Sequence, residues 1–374
     1  MAGRGAVTAF SDHCEWTGAS SNDRDNWLRS RRSGVGGSDV AAIVGLDKYS
    51  SALAVYVDKT TDGPPSEEQS EKAEWGQLFE PSIVRTYGRR TQRRVVHGGK
   101  LLRSKAAAHR LITLDGVQFT KPPAGVKGPG VIEVKTTEFG HRYRDDLPPE
   151  VYVQVQWELL VTGAEWATCV WLPFPERRLQ WRDVVASPGV QDWLAEKVDE
   201  FWGRVLRRAP PDPDGSESSQ LALRALFPNE TLETIRIPGR TAVELAEEYE
   251  RVRASIALLE ARQGLIKNAF IATMRESKYA LLDDGRYWGS ASYKARVNQC
   301  KHCNGVLSNV EPYRTYTLRE PRAAKGKKLP VIAAVRELPE SLTAVADALL
   351  ERQLTESMVG SADASNDDNR GAAE

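Results

Sequence analysis

Helix-type and strand-type patterns alternate along residues 27–206, and this alternation limits the folds open to the chain more than any other feature. Apolar side chains recur at helical spacing in residues 72–87 and 190–206. Short apolar runs typical of strands occur at residues 131–136 and 167–172. Elements of both kinds pack as a sheet covered by helices. The sequence therefore predicts an α/β (mixed α+β) domain with a mixed β-sheet flanked by helices.

Composition marks the limits of this domain. Residues 207–219, RRAPPDPDGSESS, contain three prolines and one glycine without periodicity, which is typical of a linker. We therefore expect one domain over residues 25–206. Residues 1–24 are small and polar and predict a flexible N-terminal arm. Beyond the linker we expect a C-terminal region over residues 220–359 and a polar, disordered tail over residues 360–374.

The C-terminal region is expected to contain a long helix with a coiled-coil-like seam. Apolar side chains follow a spacing of four and three residues between residues 243 and 274. These are Leu245, Tyr249, Val252, Ile256, Leu259, Ile266 and Phe270, and the series is interrupted at Gln263. A Gly285 turn between β-prone runs predicts a hairpin over residues 277–296. A further amphipathic helix is expected over residues 341–354.

Charge is balanced overall but uneven along the chain. The 51 basic and 51 acidic side chains give a net charge of zero, which argues against a protein that coats nucleic acid through bulk charge. Basic residues cluster in the first half, either as solvated surface or as a local groove for an anionic partner. The clusters are Arg29, Arg31 and Arg32, then Arg89, Arg90, Arg93 and Arg94, then Arg142 and Arg144.

The sequence carries no signal that predicts secretion or membrane insertion. No apolar run approaches the roughly 20 residues that span a bilayer, and the N-terminus lacks the apolar stretch of a signal peptide. The four cysteines are too few for a disulfide framework. We therefore expect a cytoplasmic protein without a membrane partner.

The most informative polar residues lie on and before one predicted strand. Glu133 and Lys135 share a face of the strand at residues 131–136, because successive side chains alternate between faces. Asp115 ends the previous strand, just before Gly116. Two carboxylates beside a lysine are what a Mg²⁺ or Mn²⁺ site for phosphodiester hydrolysis requires, and the lysine would orient or deprotonate a water. The Glu-x-Lys pattern alone is also common on surface strands.

Five ordered segments give this pattern a context. They are residues 31–39 (RRSGVGGSD), 75–81 (WGQLFEP), 113–116 (TLDG), 133–136 (EVKT) and 152–156 (YVQVQ). In this order the chain resembles the YqaJ-type viral recombinases, the family of phage lambda exonuclease within the PD-(D/E)XK nuclease superfamily. The resemblance runs from Trp27 to Leu172. One departure is Leu114, which stands where the superfamily name has proline.

The resemblance implies a PD-(D/E)XK, restriction-endonuclease-like core and assigns roles to particular residues. The implied catalytic residues are Asp115, Glu133, Lys135, Glu80 and Gln154. The implied metal ligands are Asp115, Glu133, Val134 and Glu80, holding two Mg²⁺ ions per site, for which Mn²⁺ substitutes. Taken without the resemblance, Glu80 and Gln154 are equally consistent with solvent-facing helix residues. Gln156 is expected to be structural.

A second implied site binds DNA phosphate. The glycine-rich residues 34–38 do not form a nucleotide-binding loop, since no Gly-Lys-Ser/Thr follows them. They feed a predicted helix with Ser38 or Asp39 near its N-cap. In the resembling family an arginine seven residues before this serine contacts phosphate, which maps to Arg31 with Ser38. The neighbouring Arg32 remains an alternative.

The resemblance also implies an activity and partners. It implies 5′→3′ digestion of linear double-stranded DNA from an end, in phage-type recombination by single-strand annealing. The expected partners are double-stranded DNA ends, a single-strand annealing recombinase and further copies in a ring-shaped homo-oligomer, in the bacterial host cytoplasm if the protein is phage-encoded. Two alternatives stay open: an endonuclease or repair nuclease on the same core, and a non-catalytic DNA-binding or scaffold protein that acts through its C-terminal helix.

The pair Cys300 and Cys303, with His302 between them, suggests half of a zinc site. A structural zinc ion needs four ligands, and Cys14 and Cys169 are far away in sequence. An iron–sulfur cluster on all four cysteines is a weaker alternative, because Cys169 falls in a predicted core strand. We interpret the cysteines as inert thiols.

Overall fold

The computed structural model describes residues 8–61, 71–174, 177–299 and 306–318. The chain divides into two compact units, Met1–Leu232 and Glu233–Glu374. The strands of the first unit are β1 (Cys14–Ser20), β2 (Val95–His97), β3 (Lys100–Ser104), β4 (Leu111–Thr113), β5 (Gly116–Gln118), β6 (Gly130–Thr137), β7 (Trp166–Pro173) and β8 (Gln180–Val185). Its α-helices are α1 (Arg24–Arg31), α2 (Gly37–Ile43), α3 (Ala52–Thr60), α4 (Glu71–Thr91), α5 (Pro149–Thr162), α6 (Pro188–Arg207) and α7 (Glu217–Leu226).

The central sheet of the first unit is mixed and has the strand order β2-β5-β6-β7-β8. Strands β6 and β7 are parallel, and the other neighbours are antiparallel. Helix α5 joins the two parallel strands, as a parallel pair requires a crossover. The α/β prediction of a mixed sheet flanked by helices is confirmed.

Apolar side chains pack on both faces of this sheet. Ile132 and Val170 contact α4 through Ile83 and Tyr87. A larger cluster includes Val131 on β6 together with buried residues of α2, α3, α5 and α6. Burial on both faces explains why β6 and β7 read as nearly continuous apolar runs. The charged residues of β6 are therefore exceptions that need a reason.

The N-terminal segment differs from its prediction. Strand β1 pairs antiparallel with β3, with Cys14 opposite Ser104, in a second sheet of order β1-β3-β4. Cys14 and Ala19 are buried. The expectation of a flexible arm through residue 24 is therefore wrong for the strand, because its pairing with residues far along the chain leaves no mark on its local composition.

The first unit also extends beyond the expected boundary at residue 206. Helix α7 begins at Glu217, inside the predicted linker, and packs on α3. The Ser51 hydroxyl donates to Ser218 Oγ at 3.4 Å, and Ala222 is buried. The prolines before residue 217 led to the prediction of a linker, although residues 217–226 form an amphipathic helix. The compact unit ends at Leu232 rather than within the linker.

The second unit contains α8 (Arg240–Met274) and a sheet of order β11-β10-β9. Its strands are β9 (Tyr279–Leu281), β10 (Tyr287–Gln299) and β11 (Val306–Thr317). The predicted long helix and the hairpin are confirmed, with Gly285 at φ +84° in the turn. The Cys300–Cys303 motif, the helix expected at 341–354 and the tail at 360–374 lie outside the described residues. Of the helices that are described, none has the length and apolar character needed to cross a membrane.

Candidate active site

Glu133 and Lys135 form an ion pair on one face of β6. Glu133 is buried, and the Lys135 ammonium nitrogen lies 2.6 Å from its Oε1 atom. The alternation of β6 turns Ile132 to the opposite face, where it packs against α4. The strand therefore places both charged side chains together, as the sequence predicts.

Asp115 is fixed against the backbone of the same strand. It lies in the turn between β4 and β5, and its Oδ2 atom accepts the N–H of Val134 at 2.7 Å. The Asp115 carbonyl accepts the N–H of Gly98 at 2.9 Å. A Cβ atom at Gly98 would lie 1.8 Å from the Leu114 carbonyl oxygen, so this contact requires glycine. The turn thus holds Asp115 beside Glu133.

Acidic side chains cluster around Asp115. Burial, followed by the charges of Glu133 and Glu80, raises the pKa of Asp115 well above its ordinary value. Glu80 belongs to α4, and its Oε1 atom lies 2.9 Å from Nε2 of His97. No sequence pattern links His97 to Glu80, because the two residues belong to different elements. The structure brings Glu80, Asp115 and Glu133 into one region, as predicted.

Gln154 of α5 joins the two members of the ion pair. Its amide nitrogen donates to Glu133 Oε1 at 2.7 Å, and its amide oxygen accepts from Lys135 Nζ at 2.8 Å. Both ends of the amide are used, so its orientation is fixed by its neighbours. The structure therefore places the predicted residue at the site. Gln156 accepts from Ser187 N–H and donates to the Val185 carbonyl, which is a structural role.

Glu158 is a fourth acidic residue that sequence reasoning missed. It lies one helical turn after Gln154 and is 1% exposed. Its Oε1 atom accepts from the Gln154 amide at 3.2 Å, whereas no described group bonds its Oε2 atom. Burial, followed by the charge of Glu133, raises the pKa of Glu158 well above its ordinary value. Its spacing of four residues from Gln154, in an otherwise apolar helix, was the available signal.

The protonation state of Lys135 limits what it can do. Burial alone would lower the pKa of Lys135, but Glu133, which accepts a hydrogen bond from it, and Asp115 raise it above its ordinary value. The side chain is therefore an ammonium at neutral pH. It can orient a water or a phosphate oxygen, but it cannot accept a proton in this state.

The donor set suits a hard divalent cation that keeps part of its water. No three or more Asp, Glu, His or Cys side chains within the described part of the chain surround a common ion position. Mg²⁺, however, is usually held by one or two carboxylates, with water and phosphate completing its shell. Asp115 and Glu133 could supply these, with Glu80 and the Val134 carbonyl nearby. Burial, followed by the charges of Glu133 and Glu80, raises the pKa of Asp115, and a bound cation would favour its ionised form.

The glycine-rich turn lies against this site. Helix α2 has its N-cap at Gly36, two residues before the predicted Ser38, and the Gly36 N–H donates to Asp39 Oδ2 at 2.9 Å. A Cβ atom at Gly37 would lie 3.3 Å from Gln154 Cγ and 3.4 Å from Glu158 Oε1. Glycine therefore allows the turn to approach α5 closely.

Arg31 is held at this turn. Its Nη2 atom lies 2.6 Å from Ser38 Oγ and 3.0 Å from Asp39 Oδ1, and its guanidinium stacks over Trp27. The structure thus brings together the predicted pair Arg31 and Ser38. Arg32 instead points to Asp58, with 3.6 Å between Nε and Oδ1.

Comparison with known proteins identifies this region. The family model of the YqaJ-like viral recombinase domain matches residues 26–165, which contain every residue of the site described above. Residues 26–165 are therefore similar to the YqaJ-like viral recombinase domain, the family that the sequence resembles. The YqaJ-like region contains Asp115, Glu133 and Lys135.

Longer similarities extend beyond the YqaJ-like domain. The uncharacterized protein YqaJ of Bacillus subtilis (strain 168) is 28% identical over 265 residues, which cover 69% of this chain and 81% of that protein. The alkaline exonuclease LHK-Exo of Laribacter hongkongensis aligns at 18% identity and a TM-score of 0.40 over 49% of this chain and 93% of its own. A phage-related exonuclease of Haemophilus somnus 129PT aligns at 13% identity and a TM-score of 0.37 over 47% and 96%.

Proposed function

We propose that the chain is a metal-dependent exonuclease that digests linear double-stranded DNA in 5′→3′ direction during recombination by single-strand annealing. The observation that carries this proposal is the bonded set Glu133, Lys135 and Gln154 beside Asp115, inside a YqaJ-like domain. Buried acid–lysine pairs are costly to maintain for stability alone. A role in phosphodiester hydrolysis would explain the presence of such a pair here.

Each residue of the site has a distinct role in this proposal. Asp115, Glu133, Glu80 and the Val134 carbonyl would hold two Mg²⁺ ions, or Mn²⁺ in their place. Bound there, the metal would lower the pKa of a water and stabilise charge on the phosphate. Lys135, which stays charged, donates to the attacking water or to a phosphate oxygen.

Gln154 is a positioning residue in this proposal. Its amide nitrogen and oxygen hold Glu133 and Lys135 at a fixed separation. The contact of Glu158 with the same amide limits rotation of the side chain. The site is therefore arranged before substrate arrives, which reduces the rearrangement needed during the reaction.

Two separate sites that contain arginine support DNA as the substrate. Arg31 and Ser38 are proposed to bind the phosphate at the 5′ end. A separate cavity of about 740 Å³ is lined by Arg85, Arg89 and Arg94. These three make no ion pair with any residue in the described ranges, so their charges are available to phosphates.

The remaining parts of the proposal concern assembly. The domain would work with a single-strand annealing recombinase that receives the strand left after digestion, and as a ring-shaped homo-oligomer around its product. For a phage-encoded protein the place of action would be the bacterial host cytoplasm. The family membership of residues 26–165 supports these expectations.

One assay tests the activity. Purified protein is incubated with linear and closed-circular duplex DNA of the same sequence, with Mg²⁺ or with EDTA, and Glu133→Gln serves as the control. We expect the unmodified protein to degrade linear DNA when Mg²⁺ is present. We expect no degradation of circular DNA, none with EDTA and none with Glu133→Gln. Nicking of the circle would indicate an endonuclease, and no loss of either DNA would indicate a binding or scaffold protein.

A further inference from the structure

A basic surface lies at the edge of the central sheet, where α4 meets β2. Residues 81–132 contain eleven Lys and Arg side chains and one acidic residue, Asp115, although the whole chain carries no net charge. Three exposed arginines of this segment, Arg85, Arg89 and Arg94, line the cavity of about 740 Å³, which we call the α4–β2 cavity. Of the described residues that line it, none is acidic. Such a concentration of one charge attracts an anionic ligand.

Close packing of α4 on β2 brings these arginines together. A Cβ atom at Gly88 would lie 2.5 Å from Val95 Cγ2, so glycine is needed for the helix to lie this close to the strand. Arg85 and Arg89 are one helical turn apart on α4, and like charges at this spacing disfavour a helix. The fold therefore keeps two repelling charges side by side, which a bound anion would stabilise.

The two arginines of α4 are oriented by neutral groups. Arg85 Nη2 donates to Ser82 Oγ at 3.1 Å, and Arg89 Nη2 donates to Thr86 Oγ1 at 3.3 Å. Hydroxyl partners hold the guanidinium groups without neutralising them. Arginine and hydroxyl side chains are the groups that contact phosphate oxygens in protein–DNA complexes.

The α4–β2 cavity offers donors to phosphates but no surface on which a base could stack. Among the lining residues that the structure describes, none is aromatic. The nearby ring of Phe119 is covered by Arg94, whose guanidinium carbon lies 4.3 Å from the ring centre. Proteins that bind single strands stack the bases on aromatic side chains. Duplex DNA keeps its bases inside and presents phosphates, which is the form that this cavity fits.

An acidic protein is a less suitable ligand for the same charges. Protein interfaces bury an apolar core, whereas Val95 has the one apolar side chain among the described lining residues. We propose that the α4–β2 cavity binds the phosphate backbone of duplex DNA, independently of DNA ends and of base sequence.

The α4–β2 cavity is distinct from the proposed cleavage site but close enough for one duplex to reach both. Arg94 directly precedes β2, and His97, at the other end of that strand, bonds Glu80. Three residues of strand span about 10 Å, which is the rise of about three base pairs. In the proposed exonuclease the undigested DNA is duplex, so the cavity would hold the DNA that remains to be cut. This last step rests on the proposed function.

Binding of a DNA without ends tests the proposal. A short duplex closed at both ends by hairpin loops has no 5′ phosphate for Arg31 to bind, and EDTA prevents metal-dependent cleavage. Its affinity for the full chain is measured by fluorescence anisotropy at several salt concentrations. Arg89→Gln is compared with Arg90→Gln, because both side chains are exposed and adjacent on α4 but only Arg89 is among the residues that line the cavity.

We expect Arg89→Gln to weaken binding by about threefold or more. The slope of log affinity against log salt concentration should become shallower by about 0.9, the contribution of one phosphate contact. Arg90→Gln should change this slope by less than half as much. Equal effects of the two variants would show that diffuse charge, and not the cavity, attracts the DNA, and this would overturn the proposal.

A single strand of thymidines distinguishes the form of DNA that is bound and controls for the hairpin loops. The triple variant Arg85→Gln/Arg89→Gln/Arg94→Gln should lose about tenfold or more in affinity for the closed duplex and less than about threefold for the single strand. Equal losses for both DNAs, or no loss for either, would overturn the proposal. The second of these results would leave an acidic protein as the ligand of the cavity.

Two further controls separate charge from folding and binding from cleavage. Arg89→Lys keeps the positive charge and should keep the salt dependence of the unmodified protein, and a loss in this variant would contradict a phosphate contact. Thermal unfolding midpoints show whether each variant is folded. A protein that shows arginine-dependent binding but degrades no linear DNA would contradict the proposed nuclease function and support the duplex site.

Discussion

Lys135 and Glu133 form a 2.6 Å ion pair in which the carboxylate is almost fully buried. Removing one partner of a buried pair leaves an uncompensated charge, which destabilises a protein by about 3–5 kcal/mol. Functional tests of this pair therefore need variants that preserve shape, and each needs a measurement of folding beside the measurement of activity.

The acidic residues should be required for cleavage but not for DNA binding. Asp115→Asn and Glu133→Gln should each lower the cleavage rate by at least about 100-fold, because a proposed metal ligand is lost. DNA affinity, measured in Ca²⁺, should change by less than about threefold, because arginines make the phosphate contacts. Cleavage within tenfold of the unmodified protein would remove the residue concerned from the site.

Lys135 should affect rate more than metal affinity. Lys135→Met keeps the aliphatic stem and removes the charge, so we expect a fall in maximal rate of about 100-fold, typical of losing a donor at an electrostatic site. The Mg²⁺ concentration at half-maximal rate should remain within about threefold, since the ammonium is not a ligand. An unchanged maximal rate with a shifted Mg²⁺ requirement would show that Lys135 only balances charge.

Arg31 should recognise the 5′ phosphate. Linear DNA with a 5′ phosphate should be digested faster than the same DNA with a 5′ hydroxyl, since hydrogen bonds between ions are roughly twice as strong as neutral ones. Arg31→Ala should reduce this preference. Arg32→Ala is the matched control and should slow both substrates equally, because Arg32 contacts Asp58 instead of Ser38.

Asp39 should make stability depend on pH. Burial alone would raise the pKa of Asp39, but Lys59 and Arg31 lower it from 3.8 to about 2. A carboxyl group whose pKa is lower in the folded state than in the unfolded state stabilises the fold at every pH above the unfolded-state pKa. This stabilisation is lost as the pH falls through the folded-state pKa. The free energy of unfolding of Asp39→Asn, from urea titrations, should be about 2 kcal/mol below that of the unmodified protein at pH 7.

This difference between Asp39→Asn and the unmodified protein should shrink as the pH is lowered from 4 to 2. A difference that stays constant over this range would show that the ion pairs with Lys59 and Arg31 do not govern the titration.

The end of the first unit should set the smallest stable nuclease fragment. A fragment of residues 1–232 should unfold cooperatively and retain cleavage, because it keeps α7 on α3. A fragment ending at Arg208 should unfold at a lower temperature, since Ala222 and its neighbours no longer cover α3. Equal thermal unfolding midpoints for the two fragments would contradict a structural role for α7.

The sequence predicted well those helices and strands that depend on residues close together in the chain. The sequence predicted α4, α5 and α8 because apolar residues recur in them at helical spacing, and it predicted β6 because a short apolar run is typical of a buried strand. It did not predict β1, because the pairing of β1 with β3 depends on residues about 85 positions away. Its short polar sequence resembles a loop.

The residues of the site also differ in whether the local sequence predicted them. Asp115, Glu133, Lys135 and Gln154 were found through their motifs, and the structure brings them together. Glu158 and His97 carry no motif of their own and acquire their contacts only when α5 and α4 dock on the sheet. The functional roles of all these residues remain predictions.

Because Gly37 has no side chain, two proposed sites lie close together: the one for the 5′ phosphate and the one for bond cleavage. The first turn of α2, which carries Ser38, lies directly on Gln154 with no side chain between them. The groups proposed to hold the chain end therefore lie close to those proposed to break the bond. The protein would then act as a gauge. Each cut would fall at the same number of nucleotides from the end, and the products would be uniform in size whatever the sequence of the DNA.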